Sequence, residues 1–271
     1  MTADPRYARH MKLFGAEGQA RIAETSVTIV GLGGLGSHVA QQLAYIGVLR
    51  FRLIDGDVVS VSNLNRLIGA TDRDIGAQKV DIAARMISAI QPSATVTRSV
   101  RDFTFDDALD LEPASVLFGC VDGDPARLEM VRYASTYALP YIDLASDVVP
   151  GGEFGGRVVF AKEGERCLSC LDEFDQHELA RAGMTDEQRA ADDEIYGIDR
   201  GVTGDTGPSV VSINGVVASL AVTEFFAWVT GLREPQGYLN YRGDHGTVGA
   251  RADPPRSYCH YCMSLWGSEQ N

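Results

Sequence analysis

Positive charge is scarce in this sequence: 24 Lys+Arg stand against 37 Asp+Glu in 271 residues, a net charge of −13. Sequence-independent nucleic-acid binding needs a face of cations to neutralise phosphates, so no nucleic-acid partner is expected. An anion such as a nucleotide remains possible where a few cations and backbone N–H groups converge. Also missing is a run of the roughly 18 apolar residues that a membrane helix requires. The richest stretch, 210–222, is broken by Ser212, Asn214 and Ser219, and no membrane partner is expected. The first ten residues carry Arg6, Arg9 and His10 with no apolar segment behind them, unlike a signal peptide. Internal repeats and an evident linker are absent too. These features predict a soluble, cytoplasmic chain folded as one elaborated domain over 1–271.

Cysteine is sparse but patterned. Four of the five form two pairs, Cys167-Leu-Ser-Cys170 and Cys259-His-Tyr-Cys262, with 88 residues between them. Two C-x-x-C knuckles supply the four soft ligands of a tetrahedral Zn²⁺. That separation would make the metal pin the C-terminal tail to the middle of the chain. Two disulfides or a redox pair are the alternatives; neither explains two matched pairs where no oxidising compartment is indicated. Cys120, alone in the apolar run 116–121, reads as a small buried hydrophobe rather than a nucleophile.

The β-branched run Ser26–Gly31 predicts a strand leading into Gly31-Leu-Gly33-Gly34-Leu-Gly36, then a helix over 37–47. Strands are expected at 51–55, 95–100, 115–121 and 140–144, with helices at 75–90 and 125–138. This alternation over 26–145 predicts an α/β fold with a parallel, doubly wound sheet. The second half differs. A strand is expected at 152–161, an apolar helix at 208–230 with Pro208 at its start, and closing strands at 238–242 and 247–251. Between them, 172–205 holds 11 Asp+Glu and no cysteine, and reads as a partly helical surface excursion.

Strand, G-x-G-x-x-G, helix, then an acid after the next strand make a phosphate-binding fingerprint. The glycines form the tight turn, and Asp55, 19 residues after Gly36, would reach ribose hydroxyls. By itself this reads as an NAD(P) site. Asp57, Asn63, Arg66 and Lys79 then follow. Acids, an amide and two cations near that turn can hold ribose, bridge a divalent cation and neutralise a triphosphate, none of which hydride transfer requires. Asp122 should end a strand on the same carboxyl edge of the sheet, and also has the composition of an N-cap for the helix that follows.

These residues resemble the ThiF/MoeB/HesA superfamily, relatives of the ubiquitin-activating enzymes. The resemblance spans nearly the whole chain. It includes Arg6-Tyr-Ala-Arg9, Phe14-Gly-Ala-Glu-Gly-Gln19, the Gly31–Gly36 turn, Asp55-Gly-Asp57, Ser62-Asn-Leu-Asn-Arg66, Gly76-Ala-Gln-Lys79, Cys120-Val-Asp122, 208–221 and both cysteine pairs. It implies a Rossmann-like fold whose mostly parallel sheet continues into a mixed one and carries a structural zinc site. Residues 1–25 would be an N-terminal arm, 26–145 the nucleotide-binding half, and 146–271 the carrier-binding half with the zinc knuckles and a 172–205 crossover segment.

The implied activity is adenylation, by ATP and Mg²⁺, of the C-terminal carboxylate of a small ubiquitin-like or sulfur-carrier protein ending in Gly-Gly. Asp55 would hold the ribose; Asn63, Arg66 and Lys79 the triphosphate; Asp122 the Mg²⁺; Cys167, Cys170, Cys259 and Cys262 the Zn²⁺. Arg9 matches an arginine that reaches into a partner subunit's site, so a homodimer is implied. Some relatives use a crossover cysteine to form a thioester. None stands between 171 and 207 here, so the acyl adenylate itself is expected to pass to a conjugating enzyme or a sulfur donor. The stretch Gly207-Pro-Ser-Val-Val-Ser-Ile-Asn-Gly215 inclines the expectation towards bacterial ubiquitin-like conjugation, with thiocarboxylate synthesis as the alternative. The rival classes are an NAD(P) oxidoreductase and a non-catalytic, zinc-stapled scaffold that only binds a carrier.

Overall fold

The computed structural model describes residues 4–109, 113–149, 152–162, 166–185, 187–189, 208–251 and 259–261. Eight strands form one sheet in the order β3-β2-β1-β4-β5-β6-β7-β8. The strands β1 (Ser26–Val30), β2 (Arg50–Ile54), β3 (Thr95–Ser99), β4 (Val116–Gly119) and β5 (Tyr141–Val148) pair in parallel. β6 (Phe154–Ala161), β7 (Tyr238–Arg242) and β8 (Thr247–Ala250) continue the sheet antiparallel. The expected doubly wound half and mixed continuation are both present.

β-Branched and aromatic residues dominate the inner strands, because those strands are covered on both faces. On one face, α1 (Met11–Glu24), α2 (Gly34–Ile46), α3 (Lys79–Ile90) and α7 (Val211–Thr230) pack around Ile29, Leu43, Phe118 and Phe225. On the other, α5 (Asp124–Thr136) covers Val30, Leu117, Met130 and Tyr141, beside Cys167, Cys170 and Cys259. The short helices α4 (Phe105–Ala108) and α6 (Gln176–Ala182) flank α5. α7 is long and apolar enough, by length and composition, to cross a bilayer. It carries the buried Glu224, bound by both Arg233 Nη atoms at 2.6 and 2.7 Å, and lies against β6 and α2 as a core helix.

Several boundaries differ from expectation, α2 starting at Gly34 rather than 37 among them, and four have identifiable reasons. α3 begins at Lys79 rather than 75, because Gly76 takes φ +86° and Gln78 bridges Val58 antiparallel. α7 begins at Val211, after Val210 in extended backbone, so Pro208 lies outside it. β5 runs to Val148 because antiparallel pairing with β6 continues along all eight residues. β4 ends at Gly119, which puts Cys120 just beyond the strand. Gly123, not Asp122, is the N-cap of α5, so the capping role expected for Asp122 is not found. The acidic excursion is helical at α6, and its remainder over 190–205 falls outside the described residues, as does Cys262.

Candidate active site

β1 ends in a turn that only glycine permits. Gly31 has φ +81°, and a Cβ there would lie 2.7 Å from the Cys120 carbonyl oxygen. A Cβ on Gly36 would overlap the Gly31 carbonyl, and one on Gly34 would overlap the Asn214 amide. At Gly33 nothing stands in the way, and its open side belongs to the cavity it lines. α2 starts at Gly34, so the unpaired N–H groups of its first turn lie at the same place. A cavity of about 1340 Å³ opens here, lined by Gly31, Gly33 and Gly34 and by all of Asp55, Asp57, Asn63, Arg66, Lys79 and Asp122.

Asp55 organises the turn. Its Oδ2 accepts from the Leu32 N–H at 2.6 Å and its Oδ1 from the Asp57 N–H at 2.8 Å. Burial pushes this carboxyl above the ordinary carboxylate range, although the Leu32 amide and the Lys79 charge act the other way. Lys79 Nζ reaches Asp57 Oδ2 at 2.7 Å, and its N–H donates to the Asp57 carbonyl at 3.0 Å. Asn63 Oδ1 closes its own turn by accepting from Ser60 N–H at 3.0 Å. Arg66 Nη1 donates to Ser62 O at 2.6 Å and to Asn65 Oδ1 at 3.2 Å. Asp122 is exposed, and its carboxylate has no hydrogen bond among the described residues. Arg9 is exposed on the N-terminal arm and is not among the residues lining the cavity.

The opposite wall was not legible from the motifs. Asp143 on β5 is fully buried, with Arg157 Nη1 at 2.6 Å and Arg127 Nε at 3.5 Å from its two oxygens. Tyr141 Oη donates to it at 2.7 Å, and Arg157 Nε reaches Glu173 at 3.0 Å. Burial lowers both guanidinium pKa values, but Asp143 together with Asp124 at Arg127, and Asp143 together with Glu173 at Arg157, outweigh it and leave both raised. The available signal was a charged residue inside an apolar strand run, Tyr141-Ile-Asp143-Leu. Asn214, buried at the start of α7, donates from Nδ2 to Ser209 Oγ at 3.0 Å and packs on Gly34.

The donor set fits a nucleoside triphosphate: helix N–H groups and two cations for phosphate, a carboxylate for hydroxyls, and a hard exposed carboxylate for Mg²⁺. Away from this cavity, Cys167, Cys170 and Cys259 place their Sγ atoms within 4.8 Å of one another, close enough for one metal ion. Cys167 and Cys259 lie 3.5 Å apart, far longer than a disulfide. Burial pushes the Cys120 thiol far above its ordinary range, as expected of a packed side chain rather than a nucleophile.

A sequence model of the ThiF family matches residues 7–261. The chain belongs to the ThiF family. It is 35% identical over 170 residues to a Salmonella typhimurium molybdopterin-synthase adenylyltransferase, a match that covers 61% of this chain and 67% of that protein. It is 30% identical over 233 residues to the Zea mays adenylyltransferase and sulfurtransferase MOCS3-1, covering 85% of this chain but 45% of the relative. The chain thus spans under half the length of that maize protein. Escherichia coli MccB, solved with ATP, superposes with a TM-score of 0.75 at 20% identity, over 96% of this chain and 75% of MccB. That likeness confirms the fold.

Proposed function

We propose that this ThiF-family protein is an adenylyltransferase that activates the C-terminal carboxylate of a small sulfur-carrier or ubiquitin-like protein with Mg²⁺–ATP. The observation that carries the reading is the convergence of Asp55, Asn63, Arg66, Lys79 and Asp122 on one cavity at the glycine turn. In the reaction a carboxylate oxygen of the carrier attacks the α-phosphorus. The bond to the bridging oxygen breaks, pyrophosphate leaves with the electron pair, and an acyl adenylate forms. An ionised carboxylate needs no general base, so the protein's work is alignment and charge stabilisation.

Asp55 accepts ribose hydroxyls, while Asn63, Arg66 and Lys79 bind the triphosphate; Lys79 exchanges its Asp57 contact for phosphate. Asp122 would hold Mg²⁺, whose charge would screen the triphosphate. Cys167, Cys170 and Cys259, with Cys262 from the sequence pattern, would hold a structural Zn²⁺. Arg9, remote from its own chain's cavity, serves the site of a second copy in a homodimer. Mixing Arg9→Ala with Asp122→Ala protein should then restore part of the activity that each lacks, and absence of any rescue would refute the shared site.

Two fates of the adenylate are distinguishable. Relatives named molybdopterin-synthase and sulfur carrier protein adenylyltransferases support handover to a sulfur donor. The 207–215 stretch supports handover to a conjugating enzyme instead. Mass spectrometry of a carrier ending in Gly-Gly, after incubation with enzyme and ATP, tests the common step. A carrier–AMP adduct, with no carrier covalently attached to the enzyme, is expected. A reductant-labile carrier–enzyme thioester would show that a cysteine takes part.

A further inference from the structure

Asp122 stands on a turn whose backbone is held by a single buried guanidinium. Arg127, 9% exposed, donates from Nη2 to the Val121 carbonyl at 2.8 Å. Its Nη1 reaches Asp124 Oδ1 at 2.8 Å and the Asp122 carbonyl at 3.4 Å. Its Nε faces Asp143, which is anchored in β5. One rigid planar group therefore spans two successive carbonyls and ties the exit of β4 to its neighbouring strand. The Asp122 carboxylate, by contrast, is exposed and makes no hydrogen bond among the described residues. A fixed main chain beneath an uncommitted carboxylate suits a group that must meet a ligand at a set position.

The same turn is latched to α6. Asp124 Oδ2 accepts from the Asp175 N–H at 2.6 Å, and the Asp124 N–H donates to Glu178 Oε1 at 3.1 Å. Asp175 is itself the N-cap of α6, accepting from His177 and Glu178 N–H groups. Asp124 thus joins the start of the crossover segment to the turn that carries Asp122.

We propose that Arg127 is a positioning residue for the Asp122 carboxylate, locked in place by Asp143 and by the Asp124 latch to α6. This rests on the assignment of Asp122 to Mg²⁺ made above. Lysine keeps the charge at position 127 but cannot span Val121, Asp122 and Asp124 with one planar fork.

The test is calorimetric titration of a non-hydrolysable ATP analogue, with and without Mg²⁺, into the wild type, Asp122→Ala, Arg127→Lys and Asp124→Asn. Loss of an outer-shell partner costs on the order of tenfold or more in metal affinity. Arg127→Lys should therefore lose about tenfold of the Mg²⁺-dependent gain in affinity while binding the metal-free analogue as the wild type does. A general loss of packing would weaken both. Should Arg127→Lys fail to fold, Asp124→Asn, which keeps the guanidinium and Asp143 but removes the second charged partner of Arg127, reads the same difference. Full retention of the gain in the folded variant, alongside its loss in Asp122→Ala, overturns the positioning role alone. Retention in Asp122→Ala overturns the metal assignment and the positioning role together.

Discussion

On the β1–β2 side of the cavity, Lys79 meets the single, largely exposed carboxylate of Asp57, whereas on the β4–β6 side Arg127 and Arg157 share the fully buried Asp143. The contrast separates cations that can change partners from cations that cannot. An ion pair with one exposed member contributes little to stability, so an incoming anion displaces it at small cost. A buried carboxylate between two guanidinium groups is different, because removing it strands positive charge in a low dielectric. The first side is built to meet a ligand and the second to hold the sheet edge and the Asp122 turn in place.

The most severe way to break that comparison is Asp143→Ala, which leaves two mostly buried guanidinium groups without their shared partner. A stability loss of about 3–5 kcal/mol is expected in urea unfolding. A loss below about 1 kcal/mol would mean that this wall is as replaceable as the other.

The buried wall continues into the apolar cluster around Cys167, so Cys167→Ser extends the test to the proposed zinc site. Zinc content by atomic emission should fall and the melting temperature with it, with smaller harm to nucleotide binding. Normal zinc content in that variant would remove Cys167 from the ligand set.

Lys79→Ala should do the reverse. Stability should change by less than about 1 kcal/mol, while nucleotide-dependent activity should fall about 10²-fold, the scale for losing one preorganised contact to developing charge. A large stability loss with activity retained would exchange the roles of the two walls.

The smallest effect concerns His38, which lies on α2 with its ring against Gly215 of α7. Burial holds its pKa below the ordinary imidazole value, partly countered by a hydrogen bond to the Val211 backbone. The unfolded chain therefore takes up this proton first, and stability should decline as pH falls below about 6.5. His38→Gln should flatten that part of the stability–pH curve, and an unchanged slope would assign the decline to other groups.

How much of this was legible in the sequence depended on whether a residue's role was set locally. The glycine turn, Asp55 and Lys79 were readable because strand, turn and helix follow one another and fix their mutual position. Asp143 and Arg157 were not, because their pairing depends on the antiparallel register of β5 and β6. Arg127 looked like an ordinary helical charge, since nothing local reveals that its guanidinium folds back under the turn before α5. Asn214 interrupted an apolar run without announcing that its amide fills the space above Gly34. The late start of α3 has the same origin: Gln78 is captured by Val58, twenty residues earlier.

The most direct test of the central claim is ATP–pyrophosphate exchange, measured with a panel of small carrier proteins ending in Gly-Gly. The account predicts exchange that depends on the carrier and on Mg²⁺ and is abolished in a folded Asp122→Ala variant. Absence of exchange with every carrier, by a protein that still binds Mg²⁺–ATP, would contradict adenylation of a carrier protein and leave a carrier-binding scaffold or adenylation of a non-protein carboxylate in its place.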